Sequence, residues 1–153
     1  MLAGAVRNDA NHISGPSRTG EGSYRALMTV LDESGLSASD LACLNVHGTS
    51  TMYNDEMESI AISRAELAEV PVNAMKGYYG HTLGAAGILE TLITMYAVDS
   101  GKVPATRGFD ELGVSMPVKI SSQHIETEKN AFVKLLSGFG GCNAAAVFGR
   151  LEG

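Results

Sequence analysis

The chain has 153 residues, of which 44% are hydrophobic and 18% charged, and its formal net charge is -6. That size and balance support one compact domain with its own core and exclude a disordered segment. The acidic balance speaks against a nucleic-acid surface, which needs clustered Lys and Arg, while leaving room for a local basic patch.

In chain order, Met1–Val6 reads as a strand that starts abruptly, and it lacks the basic region of a secretory signal. A polar loop follows over Asn8–Gly22. Ser23 can cap a helix running to about Glu33, with Ala26, Leu27, Val30 and Leu31 on one face and Gly35 as its stop. Leu41–Val46 is an apolar run of the kind expected of a buried parallel strand, and it ends at His47-Gly-Thr-Ser-Thr51. A second helix starts at Asn54 or Asp55 and carries Met57, Ile60, Ala61 and Leu67. Val70–Met75 is a further short strand, and a Gly-rich loop spans Lys76–His81.

The segment Thr82–Val98 reads as a helix that is apolar on most faces, so it is expected to be core-like, buried in a larger body. Gly84 and Gly87 near its start imply close approach by another element. Its apolar stretch contains Glu90 and is too short for a membrane span. Beyond Pro104 and Pro117, Val118–Ser121 reads as an edge strand, and Ala131–Leu136 and Ala144–Arg150 as a hairpin joined through Ser137–Asn143. The expected fold is therefore α/β, with a mixed five-stranded sheet, mostly parallel with an antiparallel end, covered by helices.

Two histidines, His47 and His81, each follow a buried strand, where ligands gather in open α/β sheets. The 137–143 turn offers backbone N–H groups for an oxyanion hole. Each signal alone is weak, since a lone histidine at a strand end is more often a structural hydrogen-bonder. A zinc site lacks a close ligand pair, Ser137 lacks the glycine of a hydrolase elbow because Leu135 stands there, and the glycines spell no dinucleotide fingerprint. Cys43 reads as core and Cys142 as non-catalytic, and this cysteine usage suits a reducing, cytoplasmic setting. His12 reads as a loop hydrogen-bonder and His124 as exposed.

Three ordered strings change the weighting: His47-Gly-Thr-Ser-Thr51 with Asp55 and Glu58, Lys76-x-x-x-Gly80-His81 with Leu83-Gly-Ala-Ala-Gly87 and Glu90, and Gly138-Phe-Gly-Gly-x-Asn143. With them the chain resembles the C-terminal half of the elongating β-ketoacyl-[acyl-carrier-protein] synthases of the thiolase superfamily, over essentially all of residues 1–153. The resemblance implies decarboxylative Claisen condensation, in which His47 and His81 hydrogen-bond the malonyl thioester oxygen. It further implies that Lys76 organises the site, with Glu90 as its buried partner, and that Thr49 and Thr51 hold the pantetheine arm. Phe139 would gate the acyl pocket, its N–H contributing to the oxyanion hole, with Gly140 and Gly141 allowing it to move. No metal or other cofactor is implied, because the substrate rides on the phosphopantetheine of acyl carrier protein.

The same resemblance puts the cysteine nucleophile in an N-terminal half that these residues do not contain, so the chain by itself is expected not to condense. It also implies a homodimer for the full-length form. Gly77-Tyr-Tyr79, Leu136-Ser137 and Cys142 depart from the usual family residues and bear on acyl-chain preference in fatty-acid or polyketide-type elongation. Two alternatives remain: a non-catalytic partner subunit like a chain-length factor, and a thiolase-type acyltransferase.

Overall fold

The computed structural model describes residues 1–150, so the last three residues of the expected domain lie outside the described residues. Strand β1 (Ala3–Asn8) leads into helix α1 (Glu21–Ser34), and β2 (Leu41–Asn45) into α2 (Met52–Arg64). Strand β3 (Pro71–Asn73) is followed by a single helical turn, α3 (Lys76–Tyr79), and by the longer α4 (Ala86–Asp99). Short strands β4 (Lys102–Val103), β5 (Lys119–Ile120) and β6 (Ile125–Glu126) precede the hairpin of β7 (Ala131–Gly138) and β8 (Cys142–Phe148).

The main sheet has six strands in the order β1-β8-β7-β2-β3-β5, where five were expected. From β7 to β5 the neighbours run parallel, while β8 lies antiparallel to both β7 and β1. Lys119–Ile120 does attach as the edge strand beside β3. A separate ribbon of β4 and β6 had no counterpart in the sequence pattern, because two-residue strands show no period.

Two apolar layers sandwich the sheet. Ala26, Leu27, Val30 and Leu31 of α1 and Ile62 of α2 pack with Leu44, Val133, Leu135 and Val147. On the opposite face, Val98 at the end of α4 packs with Ala42, Cys43 and Phe132. Both faces of β2 are therefore covered, which is why its sequence is apolar up to the buried Asn45 at its end. Strand periodicity does the same sorting along β7: Val133 and Leu135 face α1, while Phe132 and Lys134 face α4.

Several boundaries moved for identifiable reasons. Helix α1 begins before Ser23, after a left-handed Gly20 with φ 61°, and Ser23 is buried, where it donates to Asn143 Oδ1 at 2.8 Å rather than capping. The expected loop Lys76–His81 opens with the turn of α3, closed by Gly80 N–H donating to Lys76 O at 2.8 Å. Helix α4 is not core-like along its whole girth. Glu90, Thr91, Thr94 and Val98 are buried, but Ile88, Leu92 and Tyr96 face outward, with Tyr96 78% exposed.

Candidate active site

His47 stands two residues past the end of β2, where the backbone is tied down from two sides. Val46 N–H donates to Asn73 O at 3.0 Å, extending the β2–β3 ladder. From α2, the buried carboxylate of Glu58 accepts the N–H of His47 at 2.7 Å and of Gly48 at 2.8 Å, and Asn54 Nδ2 at 3.0 Å. Burial raises the Glu58 carboxyl above its ordinary range, and the two backbone N–H groups pull the other way. Gly48 has φ 49°, and a Cβ there would sit 2.5 Å from Ala74 Cβ, so only glycine fits between the imidazole and β3.

Behind the imidazole lies a buried ion cluster. Lys76 Nζ is 2.7 Å from Glu90 Oε1, donates to His47 O, and lies 3.4 Å from His47 Nδ1. A second lysine, Lys134, reaches the other oxygen of Glu90 and donates to Val46 O at 3.1 Å. Glu90 is fully buried, which such a carboxylate tolerates only when paired. Burial depresses the His47 pKa to about 4, helped by the charges of Lys76 and Lys134 and by His81, against the pull of Glu90. The imidazole is therefore neutral at pH 7. With an ammonium donor at Nδ1, its proton belongs on Nε2.

His81 meets His47 edge to face, with ring centroids 5.1 Å apart and an interplanar angle of 78°. Its Nδ1 accepts Leu83 N–H at 3.1 Å, so a neutral His81 likewise carries its proton on Nε2. Two Nε2–H donors thus share one corner of the structure, and neither has a protein acceptor among the described residues.

A cavity of about 890 Å³ adjoins this corner, and Thr49, Lys76, His81 and Arg107 are among its lining residues. Thr49 Oγ1 and Thr51 Oγ1 are 2.7 Å apart, and Thr51 is exposed. Gly77 lets the far wall close in, since a Cβ there would lie 2.2 Å from Arg107 O, and Tyr78 OH donates to Ala105 O at 3.0 Å. The Gly77-Tyr78 pair therefore joins α3 to the 105–107 segment of that wall.

The β7–β8 turn consists of Phe139, Gly140 and Gly141, and the Phe139 side chain is 83% exposed at its tip. Gly140 N–H donates to Ile13 O at 2.6 Å, and Gly141 O accepts Asp9 N–H at 2.8 Å. The turn is thus tied to the 9–13 loop, and Phe139 N–H has no loop or turn backbone acceptor among the described residues.

The structure brings together His47, His81, Lys76 and Glu90, with Thr49 on the adjoining cavity. Thr51, Phe139, Gly140 and Gly141 do not line that cavity. Outside the site, Cys43 is buried and its thiol is pushed up to about 12, and Cys142 is exposed. His12 accepts Ser14 and Gly15 N–H within its loop, and the exposed His124 accepts Ala105 N–H. Lys134 escaped the sequence reading, although a lysine inside the apolar run Ala131–Leu136 was a usable signal, since charge is rarely buried unpaired.

Residues 1–110 match the family described as beta-ketoacyl synthase, C-terminal domain. A putative mitochondrial 3-oxoacyl-[acyl-carrier-protein] synthase of Schizosaccharomyces pombe is 37% identical, over 94% of this chain and 36% of its own length. The 3-oxoacyl-[acyl-carrier-protein] synthase 2 of Rhizobium meliloti is 34% identical, over all of this chain and 37% of its own. Among solved structures, a ketosynthase from Xenorhabdus doucetiae in complex with its chain length factor superposes with a TM-score of 0.90 at 30% identity, covering 99% of this chain and 39% of that one. The chain spans little more than a third of the curated relatives it matches. Histidines at the ends of β2 and α3, on a sheet shared with these proteins, agree with the sequence match: the chain belongs to the β-ketoacyl synthase family, whose C-terminal domain it carries.

Proposed function

We propose that these residues form the malonyl-decarboxylating part of a β-ketoacyl-[acyl-carrier-protein] synthase active site. The observation that carries this reading is the pair of imidazoles with ring centroids 5.1 Å apart, one of them backed by a buried lysine. A malonyl thioester oxygen placed between the two Nε2–H groups gains two donors that strengthen as charge develops on it, each worth roughly 3 kcal/mol. The bond to the carboxylate breaks, carbon dioxide leaves, and its electron pair forms the enolate. The enolate carbon then attacks the thioester carbonyl of an acyl group held on cysteine, and the thiolate departs.

That cysteine comes from the N-terminal half of the synthase. Cys43 is sealed in the core and Cys142 is exposed at the turn of the β7–β8 hairpin. Thr49, with Thr51 beside it, holds the pantetheine arm of acyl carrier protein, and Phe139 gates the acyl end once the other half is present. The assembled enzyme is a homodimer and works in the cytoplasm, a setting in keeping with two free cysteines. Among the described residues no helix is long and apolar enough to cross a membrane.

The test is decarboxylation of a malonyl thioester by the assembled synthase. His47→Ala and His81→Ala should each slow it about 100- to 1,000-fold. Unchanged decarboxylation would overturn the reading and favour a non-catalytic subunit. Turnover of acetyl but not malonyl thioester would favour a thiolase-type reaction.

A further inference from the structure

Lys134 is the one member of the buried cluster without a place in the chemistry described above. Its ammonium is buried, reaches Glu90 Oε2 and donates to Val46 O, the carbonyl directly before His47. Glu90 spends its other oxygen on Lys76, which in turn touches both the carbonyl and Nδ1 of His47. One carboxylate thus serves two lysines. We propose that Lys134 is a positioning residue for His47: it fixes Glu90 so that Lys76 is held against the imidazole, and it leaves the cluster with one surplus positive charge behind the ring.

Geometry supports both halves of this. A carboxylate gripped at both oxygens cannot rotate away from Lys76, and the Val46 carbonyl anchors the turn that carries His47. The surplus charge opposes protonation of His47 and favours the tautomer with its proton on Nε2. The groups facing His47 are Lys76 from α3, Glu90 from α4, Lys134 from β7, Glu58 from α2 and His81. Burial pulls the Lys134 ammonium toward neutrality while Glu90 holds it charged, so its own state decides whether the surplus exists.

The proposal rests on the functional reading above only for its catalytic consequence, and nuclear magnetic resonance separates the two. In the native polypeptide with nitrogen-15-labelled histidine and lysine, Lys134 should give an ammonium signal at pH 7, and a neutral amine would overturn the proposal without any variant. Lys134→Gln keeps a neutral donor and removes the charge. It should raise the His47 titration midpoint from about 4 by on the order of one unit and lower the share of Nε2–H tautomer. Lys134→Arg should return the midpoint close to the parent value. The acidic limb of malonyl decarboxylation should follow the midpoint upward in Lys134→Gln, with KM little changed. An unmoved His47 titration in folded Lys134→Gln would overturn the proposal even if activity fell. A shifted titration with no decarboxylation by any form would uphold it and sink the functional reading instead. If Lys134→Gln does not fold, the ammonium signal of the parent protein decides.

Discussion

His47 illustrates how a single residue can be read from three directions at once: its strand end, its burial and its charged neighbours. Its pKa of about 4 lies below the ordinary 6.5, so between those values the unfolded chain takes up a proton that the folded one refuses. Stability is therefore fully present above pH 6.5 and falls as pH drops toward 4, by on the order of 3 kcal/mol for this residue alone. Urea midpoints at pH 7 and pH 4.5 should show that loss, and His47→Gln should lack most of it. Glu58 invites a second measurement at this scale. It satisfies the buried N–H of His47, the half-buried N–H of Gly48 and Asn54, and Glu58→Ala leaves them without that acceptor, so destabilisation of roughly 3 kcal/mol is expected in the same denaturation assay. The pairing of Lys76 with Glu90 could be anticipated because both lie in strings that resemble a family. For Lys134 the apolar run around it announced a buried charge but not its partner, because α4 brings Glu90 to it from a distant part of the chain.

At the scale of elements, α4 is the instructive case. Its sequence is apolar on most faces, yet only the stripe bearing Glu90, Thr94 and Val98 is covered by this chain. Composition predicts that a helix wants burial, but not how much of its surroundings the same chain supplies. The outward Ile88, Leu92 and Tyr96 lie at spacings of four residues and form one continuous apolar stripe. At raised concentration the chain alone should self-associate. The double substitution Ile88→Glu with Leu92→Glu should abolish that association in sedimentation velocity while shifting stability by no more than about 0.5 kcal/mol. A double variant that still associates would place the sticky surface elsewhere. The glycines of this region divide in the same way. A Cβ on Gly87 would lie 2.8 Å from Leu136 Cδ1, so close approach explains it, whereas Gly84 has open space around it and nothing here accounts for it. Ser23 shows the converse error: its sequence position suggested a cap, and its hydroxyl is used instead to fasten α1 to Asn143.

For the molecule as a whole, the long buried strands were legible because parallel strands covered on both faces must be apolar, and the hairpin because its turn is glycine-rich. The ribbon of β4 and β6 and the start of α1 were not, since each depends on partners distant in the chain. The site was legible in outline for a similar reason: strand ends are visible in sequence, but the grip of Glu90 on two lysines exists only once three elements meet. One feature of the sheet reaches further, into the time course of folding. Strand β1 takes its partner from β8, with Ala3 opposite Val147. Closing that pair spans nearly all the residues described and costs more chain entropy than any contact within a helix. During synthesis β1 is made before the other strands described here, and it lacks its partner β8 until the hairpin follows. The centre of the sheet, from β7 to β3, has to wait for β7 itself before β2 gains its second neighbour. Completion of this sheet is thus set by the β7–β8 hairpin, and among the described strands β1 waits longest for its partner, with its edge open to wrong pairing in the meantime.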